Sequence, residues 1–398
     1  MPEKILESDV CFTQHLLSSV VTLGQWLFLL PVYGYGGQHY TSIQVKWWSL
    51  KMIVSILFAI YNGLICIAYT YKVIYNEKKI LALFALIYHL SVGLTIVCFI
   101  DVATKWRNLM KEWSIIDFKM SHFEKNLKIK RRITMVIVVF MALGIGEHIF
   151  FMLSVSYIQK MFTDNFWTQL DAYFINFYSA IFKIIPYNRF IGILIQIMNW
   201  QLTLVWNYAD IYLIAMCIPL NFRMKQIEHK LSLMIKYKIQ DPLHWKQLRE
   251  TFILISNICV RIEKCTGHIL VLTMGLKLMV ILFQILGAIN GVNENLNDRK
   301  LEDRLYFIFS VGVMIFKQVV LTIYFSSVDL TCQNIVGYLF NVPSHIYNIE
   351  VERFIVCIKQ SSPVLSGLKL YTVRRSLILK MASVVVVYEL VLVTFTKN

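Results

Sequence analysis

The chain has 398 residues, of which 57% are hydrophobic, 14% aromatic and 16% charged, and its mean hydropathy is +0.59. That balance excludes an ordinary water-soluble domain and predicts an all-α membrane protein in contact with lipid over much of its surface. The net charge of +15 needs an explanation, and topology supplies one.

The opening MPEKILESDV is mixed in charge and lacks a cleavable signal pattern. An apolar stretch over 17–32 contains Gln25 and runs into PVYGYGG, which predicts an interfacial or re-entrant helix. Seven stretches are long and apolar enough to cross about 30 Å of hydrocarbon: 48–70, 80–100, 133–158, 188–209, 268–290, 305–326 and 376–396. Lys and Arg concentrate on one side of them, with nine over 101–132, nine over 210–267 and five over 327–375. Basic loops stay in the cytoplasm, so the amino terminus is expected inside and the carboxy terminus outside. The positive charge is then a product of topology, and no nucleic-acid partner is expected. The chain divides into an amino-terminal inner segment over 1–47, spans 1 to 4 over 48–209, a helical hairpin over 210–267, spans 5 and 6 over 268–326, an inner segment over 327–375, and the last span with its tail over 376–398.

The inner segments are amphipathic. After span 2, Val102, Trp106, Leu109, Met110, Trp113 and Ile116 share one helical face. Beyond span 4, Leu220, Met224, Ile227, Leu231 and Met234 recur at alternating steps of four and three, with Arg223, Lys225, Lys230 and Lys236 expected in solvent. Gln240, Asp241 and Pro242 break that helix. A second seam follows at Trp245, Leu248, Phe252, Ile255, Cys259 and Ile262. The two seams predict an antiparallel hairpin with more apolar face than one chain can bury. Before the last span, Ile346, Ile349, Phe354, Ile355 and Ile358 form another such face.

Chemistry-bearing motifs are absent. There is no Gly-rich phosphate loop, HExxH or nucleophile elbow, and His148 beside Glu147 points elsewhere on its helix, so an enzyme is not expected. No metal-ligand spacing, CxxC pair or Asn-x-Ser/Thr sequon occurs, none of the eight cysteines falls in an outer loop, and no cofactor is implied. Charges inside spans carry more information: Glu147, Lys277 and Lys317 each cost about 2.5 to 3.5 kcal/mol at a helix centre. They are expected either to pair, Glu147 with Lys277 or Lys317, or to line a wet pocket.

The last span ends VYELVLVTF, after the amphipathic IEVERFIVCIKQ and a short run with SSP and SG. This resembles the carboxy-terminal signature of insect gustatory receptors, Thr-Tyr, five hydrophobic residues, then Gln-Phe. Tyr388 and Phe395 match; Val387 stands in place of Thr, Thr394 in place of Gln, and Glu389 interrupts the hydrophobic run.

The resemblance implies a tastant-gated cation channel in the plasma membrane of gustatory-neuron dendrites, assembled as a homo- or heterotetramer through its inner helices, with a pore lined by the last span. On that span Val387, Val391 and Thr394 share one face. The family's ligand cavity lies in the outer halves of spans 2 to 6, where this chain has Tyr88, His89, Glu147, Phe151, Tyr157, Gln196, Trp200, Gln284, Asn290, Tyr306 and Phe309. Aromatic residues with sparse amides are expected to suit a small amphipathic tastant better than a sugar. An insect odorant receptor subunit shares this topology. A seven-helix G-protein-coupled receptor is opposed by the inside amino terminus, and a transporter by the lack of an internal repeat.

Overall fold

The computed structural model describes residues 11–37, 39–75, 79–123, 128–154, 165–293, 301–360 and 363–396. They are almost entirely helical. Helix α1, Phe12–Trp26, leads into a small antiparallel pair, β1 (Val32–Tyr33) and β2 (Gln44–Val45). Next come α2, Leu50–Tyr75, α3, Lys79–Lys119, and α4, Lys128–Ser154. Two short helices, α5 (Phe166–Phe177) and α6 (Ser179–Phe182), precede the long α7 (Arg189–Lys236), α8 (Pro242–Asn293) and α9 (Leu301–Phe340). A final block holds α10 (Ile349–Gln360), the hairpin β3 (Ser366–Gly367) and β4 (Tyr371–Thr372), and α11 (Ser376–Thr396).

Local chemistry sets the helix starts. Asn165, Asn188 and Asn348 accept hydrogen bonds from the first free amides of α5, α7 and α10. Pro242 opens α8, with Asp241 accepting from the Leu243 amide at 2.9 Å. Among the described residues six helices, α2, α3, α4, α7, α8 and α9, are long and apolar enough to cross a membrane. Helix α7 is the axis of the bundle, because 83% of its apolar stretch is buried against 22% for that of α3. It contacts α1, α3, α4, α5, α8 and α9.

At 48 and 52 residues, α7 and α8 measure about 70 to 80 Å at 1.5 Å per residue, more than twice the hydrocarbon thickness. Their far ends pack into a helical layer with the end of α3, the end of α9 and α10. Every residue of both seams, Leu220 to Met234 and Trp245 to Ile262, is buried inside the single chain, as are Trp106, Met110 and Trp113. The seams themselves are therefore covered by α3, α9 and α10 of the same chain, while Leu243, Val260, Phe340 and Val356 on these elements stay exposed. Two expectations are corrected. Arg223 does not face solvent: it is 2% exposed, and its Nη2 donates to Asp117 at 2.5 Å. Ile349 is not on the buried face of α10 but is 57% exposed.

Asp117 is why Arg223 turns inward. Its carboxylate also accepts from the Thr13 amide at 2.7 Å, the Thr13 hydroxyl at 3.1 Å and the Cys11 thiol at 3.2 Å. One buried carboxylate on α3 thus gathers the start of α1 and the middle of α7. All eight cysteines are free.

Candidate ligand site within the helix bundle

Two polar layers cross the bundle between α4, α7, α8 and α9. In the deeper one Lys277 of α8 forms an ion pair with Asp210 of α7, and Lys317 of α9 donates to Asn207 at 2.5 Å. Lys317 also interacts electrostatically with Glu147 and Asp210. The four charges come from four helices and sum to zero, which is how they are held away from lipid. Of the two partners expected for Glu147, Lys317 interacts with it, whereas Lys277 pairs with Asp210, a residue one position beyond the apolar stretch that spacing marks out. Gly144 permits the approach of α4 to α7, because a Cβ there would lie 2.2 Å from the Asn207 carboxamide.

Above this layer Gln284 donates to the Ser310 hydroxyl at 2.8 Å, and Ser310 donates to Glu147 at 2.7 Å. Tyr88 and Tyr306 both lie beside Glu147. Tyr306 packs on Phe151 with centroids 5.6 Å apart, and Tyr88 meets Trp206 edge-on at 5.8 Å. Trp200 meets His148 edge-on at 4.2 Å, and the His148 Nδ1 lies 3.0 Å from the Thr203 hydroxyl. Three buried polar atoms in this cluster have no hydrogen-bond partner: His148 Nε2, Trp206 Nε1 and Gln284 Oε1. Each such group costs about 1 to 3 kcal/mol unless something polar reaches it.

The structure therefore brings together Tyr88, Glu147, Phe151, Trp200, Gln284 and Tyr306. It sets the other candidates apart. His89 lies toward α2, 3.2 Å from Asn62 and stacked on Tyr69. Gln196 accepts from the Tyr173 and Tyr178 hydroxyls in a satellite cluster under α5. Phe309 packs on Phe150, which is itself exposed. Tyr157 and the side chain of Asn290 lie outside the described residues, as do the side chains of Glu389, Thr394 and Phe395. Sequence reasoning missed Thr203, Trp206, Asn207, Asp210 and Ser310, and set His148 aside as pointing elsewhere on its helix from Glu147. A serine or threonine in an apolar helix is as often bonded to its own backbone as to a partner, so spacing gave no signal for them.

At the start of α7, Asp171 receives two hydrogen bonds from Arg189, at 2.9 and 2.8 Å, and one from Tyr187. The Arg189 guanidinium, helped by the Tyr187 hydroxyl, pulls the Asp171 carboxyl down to about 2. Among the described residues no group of His, Cys, Asp and Glu is arranged to hold a metal ion.

The fold is that of a solved insect chemoreceptor. The olfactory receptor OR5 from Machilis hrabei superposes with a TM-score of 0.68 at 12% identity, covering 94% of this chain and 97% of that one. The same receptor in complex with eugenol gives 0.64, at 12% identity over 95% and 97% of the two chains. Sequence relatives from Drosophila melanogaster include the gustatory receptor for sugar taste 64f, 26% identical over 98% of this chain and 82% of its own length. The gustatory receptor 5a for trehalose is 22% identical over 96% and 85%. The trehalose receptor family model matches residues 6–398, and the chain belongs to that family of insect gustatory receptors.

Proposed function

We propose that the chain is a sugar-taste receptor working as a sugar-gated cation channel, in which subunits surround a pore lined by α11 and sugar binds among Tyr88, Glu147, Phe151, Trp200, Gln284 and Tyr306. One observation carries the sugar reading. Buried polar atoms without partners at His148, Trp206 and Gln284 sit among aromatic faces. A sugar offers apolar C–H faces to aromatic rings and hydroxyls to unpaired polar atoms, and the relatives named for sugar and trehalose taste support this choice. It replaces the expectation of an amphipathic tastant.

The pore reading rests on α11. In the single chain Leu379, Val387 and Leu390 are 73%, 56% and 63% exposed, as a helix does when neighbouring subunits and lipid are to cover it. Sequence spacing puts Val387, Val391 and Thr394 on one face. Repeated around a fourfold axis, the valines form an apolar constriction and the threonines a ring of hydroxyls for a cation losing water. In this reading the amino terminus is cytoplasmic, seven helices cross the plasma membrane of the taste neuron, and the four subunits are identical or mixed.

Purified protein reconstituted in lipid, with trehalose, sucrose and glucose applied in turn, tests the proposal. A sugar-evoked cation conductance is expected, and Trp200→Ala or Tyr306→Ala should raise the half-activating concentration about tenfold or more, since large aromatic surfaces dominate the binding of small molecules. Protein that stays silent to every sugar, or opens only to amphipathic molecules, would overturn it.

A further inference from the structure

A cavity lies apart from the proposed sugar site, where α7 and α9 leave the apolar bundle. It has a volume of about 490 Å³, within the size range of small-ligand sites. Its walls include Lys225, His229 and Ser232 from α7, Asn334 from α9, and Arg375, the residue before α11. The apolar run of α7 ends at Leu220 and the membrane-crossing α11 starts at Ser376, so this cavity sits at the level of a bilayer surface. Lys225 and Arg375 are exposed, and neither forms an ion pair with a carboxylate among the described residues. The one carboxylate in the wall, Glu228, accepts from the Asn334 amide at 3.0 Å.

We infer that this cavity binds a phosphorylated anion, in the form of an inositol-phosphate group carried by a membrane lipid or free in solution. Two cations from separate elements converge on it, and an ammonium and a guanidinium are the charge-assisted donors that phosphate oxygens take up. Arg375 joins the site to the base of α11. Its neighbour Arg374 is 3.5 Å from Asp329 of α9, and Gln318 of α9 contacts Met381 at 3.2 Å. An occupant bridging Lys225 and Arg375 therefore fixes the base of α11 against α7, and so adjusts how readily that helix moves. The inward direction of this surface follows the cytoplasmic-amino-terminus reading, but the binding itself does not depend on it.

The test is a binding titration on the purified full-length protein in detergent, without sugar. The probes are a short-chain phosphatidylinositol bisphosphate, inositol trisphosphate, and short-chain phosphatidylcholine as the uncharged control. The phosphoinositide should bind well above the control, and Lys225→Gln and Arg375→Gln should each weaken it about tenfold or more, as expected for loss of a charge-assisted hydrogen bond. Lys236→Gln, an exposed change farther along α7, should leave it unchanged. Inositol trisphosphate binding with the same residue dependence shows that the phosphate group suffices; binding of the lipid alone assigns the site to a headgroup in the bilayer. Affinity unaffected by both cavity substitutions, or no better than phosphatidylcholine, overturns the inference. Because sugar is absent, either result stands apart from the fate of the sugar-gating proposal.

Discussion

The helical layer beyond the membrane bundle and the half of the bundle farthest from it are built from the same long helices and solve opposite problems. Away from the membrane bundle the apolar seams are buried and the buried charges are paired: Arg223 with Asp117, Arg249 with Glu350 at 2.8 Å. The Arg249 guanidinium holds the Glu350 carboxyl below its ordinary range. In the far half of the bundle, polar atoms on His148, Trp206 and Gln284 lack partners, and α11 presents much of its surface outward. A region held by buried seams and paired charges is a base, even though the Trp106 and Trp113 indole N–H groups there lack partners; a region where unpaired polar atoms gather beside a buried carboxylate is where a ligand can change the free energy of the protein. Substitutions in the first should therefore remove the protein, and those in the second should change its response.

The largest effect should come from Ile255→Asp. It puts an unpaired carboxylate into a fully buried position, at a cost of several kcal/mol, and should abolish surface expression altogether. Surface protein at wild-type level with altered subunit number would instead return the hairpin seam to subunit assembly. Arg223→Ala comes next. It leaves Asp117 buried without its cation, costing about 3 to 5 kcal/mol, and should lower the melting temperature of purified protein more than any single substitution of an exposed lysine. A melting temperature within error of wild type would mean that Asp117 is held by Cys11 and Thr13 alone.

Two smaller effects probe the other region. Thr394→Gln should change the sodium-to-calcium permeability ratio of the open channel while leaving the sugar dose-response in place. A ratio that moves with Glu389→Gln and ignores Thr394 would turn α11 by about a third of a turn. The smallest effect concerns Asp171. Its carboxyl is held near 2 in the folded chain against an ordinary 3.8, so the stabilisation it contributes is complete above 3.8 and disappears as pH falls from there toward 2. Asp171→Asn should flatten the loss of thermal stability across that acid window and change nothing near neutrality. Identical acid profiles would assign the loss to other carboxylates.

The contrast also governs what could be read from the sequence. Spacing identified the seams at Leu220 to Met234 and Trp245 to Ile262 because burial on one helical face leaves a period. It did not say that α3, α9 and α10 would cover them, since a period reports a face and not its partner. Arg223 was misread for the same reason: its position between seam residues looks solvated, and only Asp117, more than a hundred residues earlier, turns it inward. At the candidate site Glu147 stood out as a charge in an apolar helix, whereas its neighbours Ser310 and Thr203 did not. Asp210 was missed because the long apolar run of α7 was ended one residue before it. The carboxy-terminal Tyr388 and Phe395 pointed to the family, but the choice of sugar over amphipathic tastant needed the unpaired atoms that only packing reveals.

The division between base and sensor is tested most directly by measuring surface density and sugar dose-response together for Gln284→Met. The account predicts wild-type density, because the change removes no charge and Ser310 still donates to Glu147, and a half-activating concentration raised about tenfold, corresponding to about 1.4 kcal/mol of lost ligand binding. An unchanged dose-response at full expression would contradict it, and would place sugar recognition outside the cluster around Gln284.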